Sequence, residues 1–148
     1  LLAEHPEWQE FINENTILTP HMGEMSRLTG SSISHLKEDP AAAAFEFADR
    51  SGGACVLKDA CTVIADQEEH LYFNLSGNSG MATAGSGDVL SGVIGSLLAQ
   101  GASAELASAL GVHLHGRAGD FAAGERGKRA MTASDIIDGL SGILCNVE

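Results

Sequence analysis

Asn78-Ser79-Gly80-Met81-Ala82-Thr83-Ala84-Gly85-Ser86-Gly87-Asp88-Val89-Leu90-Ser91-Gly92 is a run of small residues with a single acid, and it opens a long apolar helical pattern. Gly85-Ser86-Gly87 can bend sharply and leave backbone N–H groups uncovered. A helix starting there turns several unpaired N–H groups and its positive dipole end toward one spot. That is an anion site, and phosphate is its usual anion. Asp88 would sit beside the phosphate, which is unfavourable for a carboxylate unless a metal or a proton transfer involves it. Two readings stay open here: a phosphoryl-transfer site with Asp88 as base, or a Gly-rich loop before an N-capped helix.

Downstream of this stretch, Val89 to Gln100 is apolar nearly all round, which predicts a central, buried helix ended by Gly101. Ala102 or Ser103 starts a second helix through Leu106, Leu110, Leu114 and Ala118 to about Phe121, and Gly124 to Lys128 reads as a turn. Thr132-Ala133-Ser134-Asp135 resembles a capping box, with Asp for the usual Glu or Gln. A last helix follows, with Ile136, Ile137, Leu140, Ile143 and Leu144 on its apolar face.

Upstream, Ala54–Lys58, Cys61–Ala65 and Leu71–Asn74 read as strands, the first buried on both faces and the last two joined by a hairpin turn at Asp66–Glu69. The acids Asp66, Glu68 and Glu69 read as a solvated turn. Asp39-Pro40 starts a helix and Gly52-Gly53 closes it. Ser31 to Asp39 is polar, with room for a short helix. Thr16-Ile17-Leu18 is a short strand that delivers the loop Thr19-Pro20-His21-Met22-Gly23-Glu24, then a short helix ending at Gly30. Leu1 to Asn13 has helical character. The order of elements predicts an α/β layered domain covering residues 1–148. Its strands are few for so much helix, so part of the sheet is expected to be missing from this chain. The chain also opens mid-pattern without Met, as a fragment or processed product would.

The 148 residues are 44 % apolar and 19 % charged, ordinary values for a globular protein with a core. A net charge of −12 opposes binding to nucleic acid or to anionic membranes. A nucleotide would therefore need backbone amides, one or two lysines and a divalent metal. No apolar run spans a bilayer and no signal-peptide pattern begins at Leu1. Cys55, Cys61 and Cys145 form no CxxC pair, and all three are expected to be buried or inert thiols in a reducing cytoplasm. His113 and His115 lie two apart on a helix and so point different ways, which opposes a metal pair.

Several separated motifs agree with one another. Thr19 to Glu24, Val56-Leu57-Lys58-Asp59-Ala60-Cys61-Thr62-Val63-Ile64, Asn74 with Gly77 to Gly92, Leu97-Leu98-Ala99-Gln100-Gly101, and His113-Leu114-His115-Gly116-Arg117-Ala118-Gly119-Asp120 occur in this order. Together they closely resemble the NAD(P)H-hydrate dehydratase family of the ribokinase-like superfamily, from about Thr16 to Leu140. The resemblance implies a ribokinase-like layered α/β/α fold. It implies dehydration of NADHX and NADPHX to NAD(P)H, driven by ADP or ATP with Mg2+, through phosphorylation of the hydrate hydroxyl and loss of phosphate. It implies a homo-oligomer, a tetramer in line with the family.

The residue chemistry fits that course, because hydroxide leaves poorly and a phosphate ester leaves well. Phosphorylation needs a base, donors around the moving group and charge neutralisation. Asp88 is the candidate base, and Gly85, Ser86 and Gly87 supply N–H donors. By resemblance, His21 and Asp88 contact the hydrate, while Lys58, Asp59, Ala60, Cys61, Thr62 and Gly87 line the nucleotide site. Glu24, Asn74 and Asn78 rank second, for orienting loops or metal-bound water; no protein metal ligand is assigned. Ser79, Ala84 and Asp59 depart from the family's usual proline and glycines, and Asp59 adds negative charge near the nucleotide. Two alternatives stand beside this reading. One is a ribokinase-like kinase for a vitamin precursor, which would keep the phosphate on its product. The other is a nucleotide-binding module without turnover.

Overall fold

A computed structural model describes residues 2–145; Leu1 and the last three residues lie outside it. The chain divides into two compact units, each described by itself. One runs to Phe73 and includes Ser103–Ser108; the other comprises Asn74–Ala102 and the chain from Ala109 onward.

The first unit is built on a sheet in the order β1 (Ile17–Leu18), β2 (Ala54–Leu57), β3 (Thr62–Ala65) and β4 (Leu71–Asn74). β1 and β2 run parallel, with Ile17 opposite Ala54, and β2 and β3 run antiparallel, with Val56 opposite Ile64. Strand periodicity puts Cys55 and Leu57 on one face with Ala65 and Val63. That face packs into a core with Trp8, Met25, Leu36, Ala44, Phe47 and Ala48. Val56 and Ile64, on the other face, are also buried. The continuous apolar run in β2 therefore reports two covered faces, as expected. Gly53 lets β1 approach: a Cβ there would lie 2.8 Å from the Thr16 carbonyl, which accepts from Ala54 N–H at 2.9 Å.

The helices of this unit are α1 (Met22–Thr29), α2 (Ile33–Glu38) and α3 (Pro40–Ser51). α3 starts where Asp39 accepts from Ala42 N–H and stops at Gly52, whose φ of 84° is left-handed. It packs on β2 and β3. The helical character expected before Asn13 resolves into two 3₁₀ turns, Leu2–Glu4 and Pro6–Phe11. The turn at Asp66–Glu69 joins β3 to β4 as expected, but Asp66 is not merely solvated. It accepts from Glu68 N–H, His70 N–H and the His70 ring.

The second unit holds α4 (Ser86–Ala99), most of α5 (Ala104–Arg126) and α6 (Ala133–Leu144). Ala118, Ala122, Met131 and Ile136 form its core, with Met81, Val89, Leu140 and Ile143 against them. Gly139 carries no Cβ because the Ala118 carbonyl of α5 occupies that space. Thr132 and Asp135 form the capping box.

Three expectations need correction. α4 is not buried all round: Leu90 and Ile94 are covered, but Ser91, Gly92, Gly95 and Ser96 are exposed. Its hydropathy reflects few charges rather than a continuous buried surface. α5 runs past Gly124 to Arg126 and ends before Gly127, whose φ of 75° makes it the stop. Of the three cysteines, only Cys55 is buried; Cys61 and Cys145 are exposed, because Cys61 precedes β3 and Cys145 follows α6. Among the described residues no helix is long and apolar enough to cross a membrane.

Candidate functional site

In the first unit, the parallel pairing of β1 with β2 continues past both strand ends into a bridge between His21 and Lys58. Lys58 N–H donates to the Pro20 carbonyl at 2.8 Å. Pro20 has no N–H of its own and holds the preceding residue extended, so the loop arrives at α1 ready to cap it. His21 is that cap. Its Nδ1 accepts from Gly23 N–H at 3.0 Å and Glu24 N–H at 3.1 Å, while Glu24 Oε2 accepts from His21 N–H at 2.8 Å. This is a capping box with an imidazole in the place of a hydroxyl. Two donors on Nδ1 fix the ring proton on Nε2, on an exposed ring. His21 is thus presented as a hydrogen-bond donor. Glu24 is the strut: Oε1 lies 3.6 Å from His21 Nε2, and Oε2 lies 3.9 Å from Lys58 Nζ.

Lys58 is half-buried, and Asp59, Ala60 and Cys61 form the exposed turn into β3, where Thr62 is half-buried. The extra charge of Asp59 is partly offset, since Lys37 Nζ lies 3.3 Å from its Oδ2. A cavity of about 430 Å³ lies along β1, lined by Ile17, Leu18, Thr19, Pro20, Glu24 and Arg27 among others.

In the second unit, Gly85 caps α4 at a φ of 87°, with no side-chain cap. Asp88 is therefore not the cap; it sits at the third helical position, exposed. A carboxylate there is favoured by the helix dipole. The Ser86 N–H is already given to the Thr83 carbonyl at 3.3 Å. The Ser86 hydroxyl is buried, 3.4 Å from His115 Nε2. The amides of Gly87 and Asp88 are thus the first-turn donors that no side chain caps. Of the expected donors Gly85, Ser86 and Gly87, Ser86 is committed to holding the turn.

The approach to this turn is held by α5. Asp120 accepts from Gly77 N–H at 2.9 Å and from Asn78 Nδ2 at 3.0 Å. Asn78 Nδ2 also reaches the Gly119 carbonyl, and its Oδ1 accepts from Gly80 N–H. Asn74 folds back on Ser76, and the Ser76 hydroxyl lies 3.1 Å from the His113 carbonyl. Gly116 and Gly119 leave room for Ser76 and Met81. Asn74 and Asn78 are engaged as loop anchors. Sequence reading gave Asp120 and His115 no role. Both stand in the quoted His113–Asp120 motif, but their partners lie 42 or 43 residues away for Asp120 and 29 for His115.

Magnesium takes oxygen ligands, keeps several waters and is commonly held by one or two carboxylates plus phosphates. Beside the α4 turn, Asp88 is an exposed carboxylate while the Asn78 amide is engaged at both ends. That donor set fits an ion carried on nucleotide phosphates, not a cage of side chains.

The sequence profile described as NAD(P)H-hydrate dehydratase matches residues 1–141. A bifunctional NAD(P)H-hydrate repair enzyme from Moorella thermoacetica is 49 % identical over 132 residues, covering 89 % of this chain and 25 % of that protein. The ADP/ATP-dependent NAD(P)H-hydrate dehydratase of Bacillus subtilis, co-crystallised with ATP and Mg2+, superposes with a TM-score of 0.84 at 32 % identity, covering 89 % of this chain and 48 % of that one. A ribokinase-like superfamily protein from Enterococcus faecalis gives a TM-score of 0.74 at 27 % identity, covering 94 % and 48 %. The chain is thus similar to about half of each solved structure and a quarter of the bifunctional relative.

Proposed function

The chain belongs to the NAD(P)H-hydrate dehydratase family, with a ribokinase-like fold, and from this premise we propose that it takes part in nucleotide-dependent dehydration of NADHX and NADPHX to NAD(P)H. One observation within the chain carries the reading: an exposed carboxylate, Asp88, in the first turn of a helix whose cap is a glycine without a side-chain acceptor.

In this reading Asp88 accepts the proton of the hydrate hydroxyl as the hydroxyl oxygen attacks the terminal phosphoryl group of the nucleotide; the bond from that phosphorus to its bridging oxygen breaks, and the nucleotide leaves one phosphate shorter. The Gly87 and Asp88 N–H groups donate to the phosphoryl oxygens on which charge develops. Bound Mg2+ neutralises phosphate charge. The C–O bond of the phosphate ester then breaks as a proton leaves the neighbouring ring carbon, so that phosphate and a proton are released and the ring double bond of the reduced nicotinamide is restored. His21, fixed with its proton on Nε2, donates to the hydrate. Lys58 to Thr62 contact the nucleotide, with Glu24 holding both His21 and Lys58 in place. The proposed reaction is assigned to the cytoplasm. A homo-oligomer, tetrameric as in the family, is the expected assembly; Phe73, Leu75 and Leu106 are each exposed apolar side chains.

The test is incubation with NADHX, ADP or ATP, and Mg2+. Recovery of reduced-nicotinamide absorbance with release of inorganic phosphate supports the reading. Phosphate retained on an alcohol substrate, with no recovery from NADHX, supports a vitamin-precursor kinase instead. Nucleotide binding without turnover of either substrate supports a binding module.

A further inference from the structure

Three donor side chains meet at a place in the first unit that the dehydratase reading does not use. Asp66 closes the turn after β3, His70 leads into β4, and Glu105 stands in the first turn of α5. His70 Nδ1 lies 2.9 Å from Asp66 Oδ2 and 3.8 Å from Glu105 Oε1. One donor atom from each of the three falls within 4.8 Å of the others. We propose that Asp66, His70 and Glu105 form a site for a divalent transition-metal ion of the zinc type.

The spacing fits. Bonds of about 2.1 Å in a tetrahedron place neighbouring donors about 3.4 Å apart, and the two measured separations bracket that value. The chemistry fits as well: one imidazole nitrogen with two carboxylates is a set that suits zinc and leaves a fourth position for water. The donors are held in advance. Asp66 Oδ1 accepts from Glu68 N–H at 2.9 Å and His70 N–H at 3.0 Å, which leaves Oδ2 turned to the His70 ring. The Asp66 side chain is only 13 % exposed. The Tyr72 hydroxyl hydrogen-bonds Glu105 Oε1, the same oxygen that faces His70, and helps to orient it.

The His70 ring N–H donates to Asp66, and this hydrogen bond, with the nearby charges of Asp66, Glu105 and Glu68, raises the His70 pKa from its ordinary value. A metal ion bound at Nδ1 would take the place of the Nδ1 proton and release it. Bound there, it would tie the β3–β4 turn to the start of α5, residues 35 apart or more.

The test does not depend on hydrate turnover. The metal-free chain is titrated with Zn2+ against a chromophoric chelator, and with Co2+ as a spectroscopic probe. The expected result is one saturable site per chain, weakened by about tenfold or more in both His70→Gln and Glu105→Gln. Co2+ should give d–d bands without thiolate charge transfer, and Cys61→Ser with Cys145→Ser should leave the site intact. In the unmodified chain, Co2+ should shift the His70 ring protons before those of the other histidines, a readout independent of how any variant folds. Absence of saturable binding, binding unchanged in both variants, a site that follows the cysteines, or first shifts at another histidine would each overturn the proposal.

Discussion

Asp120→Ala should loosen the segment that leads to the α4 turn. Asp120 spans two partners, Gly77 N–H at 2.9 Å and Asn78 Nδ2 at 3.0 Å. A hydrogen bond to a charged group contributes about 1.5–3 kcal/mol. Asp120 is exposed, so water competes and each bond belongs at or below the lower end, about 2 kcal/mol for the pair. Asn78 keeps its bond to the Gly119 carbonyl and Ser76 keeps its contact with His113, so the loss is local rather than global. An opening made easier by about 2 kcal/mol raises amide exchange about 30-fold. Hydrogen exchange read at residues 77–82 is the assay, with amides in the β2–β3 pairing as an internal control. Asp120→Asn retains one acceptor oxygen and should fall between wild type and Asp120→Ala. Exchange at 77–82 in Asp120→Ala within about twofold of wild type would refute the assignment of Asp120 as the anchor.

Gly53→Ala should destabilise the first unit by about 1–3 kcal/mol through overpacking, since the new Cβ meets the Thr16 carbonyl at 2.8 Å and Ile12 Cγ2 at 2.9 Å; the urea midpoint measures it. Asp135 is held below the usual carboxylate range by hydrogen bonds from the Thr132 hydroxyl and N–H, with Arg126 adding to them. Its stabilisation is therefore full above the unfolded carboxyl pKa of about 3.9 and lost as pH falls through the lower folded value. The stability difference between wild type and Thr132→Ala should accordingly narrow in acid, as followed by circular dichroism against pH. Native labelling with a maleimide should modify Cys61 and Cys145 and spare Cys55. The Cys55 thiol is buried, and burial raises its pKa far above the ordinary thiol range. Reaction at Cys55 without unfolding would contradict the core assignment.

Local rules were legible where local residues decide. Asp39-Pro40 and Gly52 mark the two ends of α3, and Thr132 with Asp135 marks the start of α6. The apolar run at 54–57 reported a strand covered on both faces, because only such a strand can do without alternation. The α4 turn was legible because Gly85 had to adopt a conformation that other residues resist. Reading failed where the deciding partner is distant. Asp120 looks like any helix-surface acid until Gly77 and Asn78 fold onto it, and Glu105 looks like any first-turn acid until His70 arrives. α4 was misjudged because apolarity shows that a face tolerates cover, not that cover exists. Gly124 was misread as a turn because a glycine inside a helix costs only about 1 kcal/mol, and the next left-handed glycine, Gly127, was available to end α5.

In the proposed reaction Asp88 is the base of a nucleotide-driven dehydration. This role is tested most directly by Asp88→Asn in the NADHX assay, with nucleotide affinity measured in parallel by calorimetry. Recovery of reduced nicotinamide is expected to be abolished while ADP and ATP bind nearly as to wild type, because the Gly87 and residue-88 N–H groups are backbone donors that the substitution leaves in place. Near-normal turnover in Asp88→Asn would contradict this role.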